Sequence, residues 1–279
     1  MNANKVWFVT GASKGLGLSL VKKLLSEGYR VAATSRTLSS LEEQIGESSA
    51  DFLPLEVNIV SEPSVKEAVE KTISHFGGLD VVVNNAGYGQ MGTLEELSDE
   101  EARANYDVNV FGLLHVIRQV MPHFRARQRG HFFNISSIGG YTANFAGWGI
   151  YCSTKFAVSG LTEGLAAEAA GFGVKVTLVY PGYFRTSFLS SDSVKTPARS
   201  IEAYEAARQS EAFHQDEMDG NQPGDPEKAA DAMIKMSLEE NPALHLFLGE
   251  DAYSVAQKKI QEVNGDLEKW KEVTLSTAF

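Results

Sequence analysis

Short runs of β-branched and aromatic residues recur along this chain, each separated from the next by a helical stretch, and this alternation constrains the fold more than any other feature. Strands alternating with helices are βαβ units, whose strands lie parallel with helices packed on the sheet. Strands are expected at residues 6–10, 30–35, 52–57, 81–84, 131–135, 174–180 and 244–248. Helices are expected at 15–27, 61–76, 107–127, 151–171, 225–240 and 252–270. The first helix carries Leu16, Leu20, Leu24 and Leu25 on one face, with Gly28 as its stop. Ser61 is placed to cap the second, with Pro63 tolerated in its first turn. The Val-Val-Val-Asn run at 81–84 is apolar enough to be buried on both faces of a sheet. The expected architecture is α/β: a doubly wound, mostly parallel, seven-stranded sheet with helices on both faces.

A chain of 279 residues fits one large α/β domain, and no linker or repeat divides it. Residues 1–279 are therefore expected to form a single catalytic domain. Residues 184–224 stand apart, with weak periodicity and a polar run at 214–220. A long irregular insertion of this kind reads as a lid or substrate loop. The net charge is −11 and the basic residues are scattered, which excludes a nucleic-acid partner. The one cysteine, Cys152, can form no intrachain disulfide, and beside Tyr151 it reads as a small helix-packing residue. Residues 1–5 supply no charged leader, and no apolar run reaches membrane-spanning length, so the expectation is a cytoplasmic protein with no membrane contact. Six histidines without H-x-x-x-H spacing predict no metal site, and Ser137 lies in no G-x-S-x-G elbow.

Between the first strand and first helix runs Thr10-Gly11-Ala12-Ser13-Lys14-Gly15-Leu16-Gly17. Glycines let a backbone turn tightly against a pyrophosphate, and the helix start offers free N–H groups and a positive dipole end. Glycine also marks any sharp strand-to-helix turn, so the loop alone leaves nucleotide binding open.

Other short motifs follow in order. Asn84-Asn85-Ala86-Gly87 ends the fourth strand, Asn109 lies in the following helix and Ser137 follows the fifth strand. Tyr151-Cys152-Ser153-Thr154-Lys155 opens a helix, and Pro181-Gly182 follows the sixth strand. Together with the T-G-x-x-x-G-x-G loop, this series resembles the short-chain dehydrogenase/reductase family over roughly residues 5 to 190. Each motif is short, but their joint occurrence in family order is highly specific. The resemblance implies a Rossmann-type fold binding a nicotinamide cofactor through Gly11, Ser13, Gly15, Leu16, Gly17, Asn85, Ala86 and Gly87. It further implies that Pro181, Gly182 and Thr186 position the nicotinamide carboxamide.

Where an NAD-binding fold places an acid at the end of the second strand, this chain has Ser35 followed by Arg36. Lys14 adds a second cation inside the glycine loop. Serine does not repel a phosphate dianion, an arginine fork binds one and lysine adds a point charge. The pair predicts NADP(H), against the plainer reading that both are solvated surface charges. Asn58 stands where the family commonly has an Asp beside the adenine.

Tyr151 and Lys155 share one helical face. An ammonium near a phenol favours the phenolate, and the phenol can then exchange a proton with a carbonyl oxygen as hydride moves. Ser137 would stabilise charge on that oxygen. By resemblance Lys155 also holds the ribose hydroxyls and Asn109 supports a water relay to Lys155. The interval from Ser137 to Tyr151 is one residue longer than the family's usual pattern, which makes Ser136 the less favoured substitute.

Tyr88, Gln90, Met91, Gly140, Tyr141, Phe145, Trp148, Tyr183, Phe184 and Phe188 form an apolar, aromatic set of pocket candidates. They suggest a hydrophobic ketone, aldehyde or secondary alcohol, as handled by the family's carbonyl reductases and by its hydroxysteroid and retinol dehydrogenases. Core or interface packing is the competing explanation for each. The alternative of another class is a catalytically idle NADP(H)-binding regulator, which a turnover assay discriminates. The helices at 107–127 and 151–171 often pair across a family dimer, so a homodimer or homotetramer is expected.

Overall fold

The computed structural model describes residues 5–190 and 193–279. In chain order it runs β1 Val6–Val9, α1 Gly15–Ser26, β2 Arg30–Ser35, α2 Leu38–Gln44, β3 Phe52–Glu56, α3 Glu62–Phe76 and β4 Val81–Asn84. Then come the two-residue strand β5 Gly89–Gln90, α4 Asp99–Tyr106, α5 Leu113–Arg127, β6 Gly130–Ile135 and α6 Gly149–Ala169. The remainder is β7 Val174–Pro181, β8 Val194–Lys195, α7 Glu205–Ala212, α8 Pro226–Leu238, β9 His245–Leu248, α9 Glu250–Lys269 and α10 Lys271–Leu275.

Seven strands form one parallel sheet in the order β3-β2-β1-β4-β6-β7-β9. Alternation along the strands feeds two cores. On β1, Val6 and Phe8 face one side with Phe132 and Leu178, covered by α3, α5 and α6. Trp7 and Val9 face the other with Phe133 and Val179, covered by α1 and α8. Trp7 stacks on Phe133 with ring centroids 6.2 Å apart. Burying side chains of this size stabilises the fold by about 1.5–3 kcal/mol each. The doubly wound architecture is thus the one read from the alternation of strands and helices.

The topology also fixes where a ligand sits. The chain winds outward from β1 to β2 and β3, then crosses back to place β4 on the other side of β1. The loops leaving β1 and β4 therefore diverge, and a crevice opens at the carboxyl ends of those strands.

Some boundaries differ from expectation. The helix expected at 107–127 begins at Asp99, because Ser98 and Glu101 form a capping box: Ser98 Oγ accepts from Glu101 N–H, and Glu101 Oε2 accepts from Ser98 N–H. It passes through a π-helical turn at Asp107–Gly112 into α5. α2 was not expected at all. Ser61 occupies the cap position of α3, but its side chain makes no capping bond. Ser64 Oγ instead accepts from the Asn58 N–H. The segment 184–224 is less irregular than its sequence suggests: it contains β8, which pairs with β5, and α7 followed by a π-helical turn at Phe213–Met218. Residues 191–192 of that segment lie outside the described residues.

Candidate active site

Two loops meet at the crevice because one residue lacks a side chain. Gly11 has φ +65°, and a Cβ there would lie 2.7 Å from the Cα of Ala86. Across this contact Thr10 Oγ1 accepts from the N–H groups of both Asn85 and Ala86 at 3.0 Å. Asn85 Nδ2 in turn donates to the carbonyls of Thr10 and Gly11 at 2.9 and 3.0 Å. The Asn-Asn-Ala-Gly motif is therefore the brace of the glycine loop, and Asn85 spends its side-chain donor there. Gly17 serves the same contact, since a Cβ on it would press on Asn85 Nδ2. Gly15, with φ +61°, faces Thr186 across the cleft.

The cleft has a volume of about 450 Å³. Along its length lie Gly11, Ser13, Lys14, Gly15 and Leu16, then Ser35, Arg36 and Asn58, then Asn85, Ala86 and Gly87. Ser137, Tyr151 and Lys155 follow, and Pro181, Gly182 and Thr186 close the far wall. Gly17 and Asn109 do not line it. At the end marked by β2, Ser35 Oγ donates to Ser13 Oγ at 3.2 Å, and Arg36 is exposed beside them. No carboxylate lines the cleft among the described residues. Asn58 turns its Oδ1 to the Val60 N–H, so its side chain shapes its own loop.

At the other end Tyr151 sits in the first turns of α6 and is 7% exposed. Burial pushes its phenol pKa up, while a hydrogen bond with Ser137 works the other way. Lys155, one turn on, holds its Nζ 5.8 Å from the centre of the Tyr151 ring and donates to the Ile135 carbonyl at 2.9 Å. Burial lowers its pKa to about 8. Ser136 is committed elsewhere: its hydroxyl donates to the Lys155 carbonyl at 2.9 Å and contacts Ser159. The longer interval before Tyr151 thus leaves Ser137 at the phenol. Cys152 is buried, and burial pushes its thiol pKa up to about 12.

Asn109 lies in the π-helical turn and is 1% exposed. Its Oδ1 accepts from the Tyr88 N–H, and its Nδ2 donates to the Tyr88 carbonyl and to Thr154 Oγ1, all at 3.0 Å. It thereby ties the loop after β4 to the residue before Lys155.

Of the aromatic candidates, Tyr88, Phe145, Trp148, Tyr183, Phe184 and Phe188 line the cleft. Gln90, Met91, Gly140 and Tyr141 do not. Gln90 is buried on the carbonyls of Met91 and Lys195, and Tyr141 packs on Tyr180 and Phe247. Among the lining residues that sequence reading missed are two polar ones from the 184–224 segment, His214 and Gln222. His214 Nδ1 donates to the Ser210 carbonyl at 2.6 Å, so its Nε2 accepts from the Tyr183 hydroxyl at 2.8 Å. Burial lowers the His214 pKa and supports this neutral form. Trp148 bridges the two ends of this wall, 5.5 Å from Tyr151 and 4.9 Å from His214 between ring centroids. Among the described residues no cluster of His, Cys, Asp and Glu could hold a metal ion, and no helix is long and apolar enough to cross a membrane.

The short chain dehydrogenase family profile matches residues 5–196. The chain is 34% identical to the oxidoreductase BOA17 of Botryotinia fuckeliana, over 98% of this chain and 99% of that protein. It is 35% identical to the 3-ketodihydrosphingosine reductase of Bacteroides thetaiotaomicron, over 88% of each. Among solved structures, a short-chain dehydrogenase from Streptomyces avermitilis superposes with TM-score 0.90 at 33% identity, covering 99% of this chain and 98% of that one. ElxO with NADP bound superposes with TM-score 0.73 at 27% identity, covering 90% and 99%.

Proposed function

Because the chain belongs to the short-chain dehydrogenase family of oxidoreductases, we propose that it is an NADP(H)-dependent carbonyl reductase or alcohol dehydrogenase acting on hydrophobic ketones, aldehydes or secondary alcohols. The observation that carries the reading is the meeting of Ser137, Tyr151 and Lys155 in one cleft with the glycine loop.

The residues present fit the dinucleotide. Gly15 leaves room beside the cleft, with only Thr186 near the place of a Cβ, and the start of α1, which no side chain caps, lines that room. Gly11, Ser13, Gly15, Leu16 and Gly17 with Ala86 and Gly87 would hold the pyrophosphate region, and Asn85 would keep the loop in shape. Lys14, Ser35 and Arg36 would take the 2′-phosphate, Asn58 would lie by the adenine, and Pro181, Gly182 and Thr186 would take the carboxamide. NADP(H), when bound, supplies or accepts the hydride.

The chain's own residues handle the proton. Tyr151 gives its phenolic proton to the carbonyl oxygen in reduction and recovers it in oxidation. Burial makes the free phenolate unfavourable, so the proton stays until an oxygen of growing negative charge takes it. Ser137 hydrogen-bonds that same oxygen and keeps the phenol aimed at it. Lys155, fixed by the Ile135 carbonyl, sets a positive charge near the phenolate that remains. Asn109 acts at one remove, by fixing Tyr88 and Thr154 around this group.

Phe145, Trp148, Tyr183, Phe184 and Phe188 make the substrate wall apolar, which suits a hydrophobic carbonyl compound. The named ketone substrate of the Bacteroides relative is of that class. Residues 184–224 would act as the lid over it, within one domain spanning the chain. The lone buried cysteine suits a reducing, cytoplasmic setting, and exposed Phe111, in the turn that leads into α5, and Phe156, on α6, suit a homodimer built on those two helices.

The test is NADPH oxidation, followed at the reduced-nicotinamide absorbance, against a panel of hydrophobic ketones and aldehydes with NADH in parallel. Turnover with NADPH and little with NADH is expected. Binding of NADPH without turnover on any carbonyl would replace the enzyme with a cofactor-sensing protein, and absence of binding would overturn the whole reading.

A further inference from the structure

The C-terminal helix leaves the body of the molecule. In α9 only Ala252 and Ala256 are buried, and every residue from Ile260 to Phe279 is exposed. The exposed part is not uniformly polar. Tyr253, Ile260, Val263, Leu267 and Trp270, in step with the buried Ala256, recur at alternating intervals of three and four residues, a period of 3.5 that keeps them in one stripe. Ile260, Val263, Leu267 and Trp270 are 42–55% exposed. Asn264 and Gly265 stand in the middle of this stretch, and both are poor helix formers. An isolated helix of this length with such a centre is marginal in water, because most helix stability comes from packing an apolar face.

We infer that this stripe is an interface for a second copy of the same chain, lying antiparallel along it. One register satisfies both size and charge. Set Ile260 against Val263 of the second copy, and the reciprocal contact follows by symmetry. Tyr253 then meets Trp270 of the second copy, a pairing of two aromatic rings at each end. Leu267 lies opposite the turn of Ala256, whose small side chain is buried against its own body, so no bulky side chain of the second copy stands across from it. On the flank of the stripe Lys259 comes beside Asp266 of the second copy, twice, and on the other flank Gln257 comes beside Asn264. The antiparallel sense also sets the two bodies at opposite ends of the paired helices.

A lipid surface fits less well. Lys258, Lys259, Lys269 and Lys271 are outnumbered by Glu250, Asp251, Glu262, Asp266, Glu268 and Glu272, and helices that lie on anionic membranes carry a basic polar face.

The experiment is sedimentation equilibrium of the full chain. The wild type is expected at a mass of two or more chains, and Ile260→Asp with Leu267→Asp is expected to halve that mass at an unchanged thermal midpoint. Lys259→Asp alone and Asp266→Lys alone should each weaken the association, by roughly tenfold. Combining them should restore it, because in the antiparallel register the two swapped charges meet again. A wild-type mass of one chain, a mass untouched by the double aspartate variant, or no rescue by the combined swap would overturn the inference. So would co-flotation of single chains with phosphatidylcholine–phosphatidylserine vesicles that the double aspartate variant abolishes, which would assign the stripe to a membrane.

Discussion

Tyr151 and Lys155 occupy a place where burial works against both of their charged forms, raising one pKa and lowering the other to about 8. A pair maintained at that cost has use for a proton that moves within it. Tyr151→Phe is expected to lower turnover by at least a thousandfold, with NADPH affinity changed by less than about threefold, since only the proton donor is removed. Steady-state kinetics and fluorescence titration of the cofactor check this pair of outcomes. Arg36→Asp should invert the preference between NADPH and NADH by placing a carboxylate where a 2′-phosphate would lie, and kcat/KM measured with each cofactor reads the inversion. At this scale the sequence was informative because the chemistry uses residues whose spacing is rigid. Tyr151 and Lys155 share a helical face by geometry alone, and the glycines at 11 and 15 have φ angles that side chains resist. The brace formed by Asn85 was not legible in the same way. Its partners, Thr10 and Gly11, lie 75 and 74 residues away.

The elements add constraints that a strand or helix assignment does not contain. His131 lies in the middle of the sheet on β6, its Nε2 bonded to Thr177 Oγ1 at 2.9 Å. Burial, with Lys175 and Lys5 nearby, lowers its pKa to about 3. The unfolded chain takes up this proton near pH 6.5 and the folded one only near 3, so stability is fully present above pH 6.5 and falls as the pH drops through that window. The contribution of this one group is about 1.4 kcal/mol per pH unit. Denaturant unfolding of the wild type and His131→Asn between pH 7 and 4 should show the steeper loss in the wild type, and parallel slopes would refute it. The strands themselves were readable because five of the seven sheet strands are runs of mostly apolar residues buried on both faces. α4 was missed although its signal, Ser98 with Glu101, stands in the sequence; the acidic run around it obscured a helix with little apolar face. The π-helical turn at 107–112 leaves no periodic mark, since one inserted residue shifts the register without breaking the pattern.

For the molecule as a whole, one buried ion helps to hold the segment 184–224 against the body. Glu96 has no side-chain exposure; it accepts from the N–H groups of Thr93 and Ile201 and from Arg208, at 2.6–2.9 Å. Burial opposes its ionisation, but these donors keep the carboxyl below its ordinary range. Glu96→Ala strands the donors and should free the segment before it unfolds the sheet. Limited proteolysis within 193–224 is expected to accelerate several-fold, with KM rising more than kcat falls. Equal cleavage rates in variant and wild type would show that the segment is held by other means. Here sequence reading was weakest. His214 and Gln222 reach the cleft from a polar stretch whose fold depends on β5, Glu96 and Tyr183, all distant in the chain, so no local pattern marked them.

Phe184 and Gly224, the two ends of that segment, pair with each other directly, joined by Arg185 N–H to the Gly224 carbonyl and Gly224 N–H to the Tyr183 carbonyl. The excursion therefore departs from the framework and returns to it at one place, where its two ends are stitched together. What lies between is held by the β5–β8 pairing, by Glu96 and by the Tyr183–His214 bond, so another sequence can replace it where it keeps or dispenses with those contacts, while the ends stay where they are. The residues proposed to hold a cofactor and move a proton lie largely outside the stitch, whereas Phe184, Phe188, His214 and Gln222 of the cleft wall lie within it. Descendants of such a chain can change what they act upon by swapping one patch of cloth and leaving the garment intact.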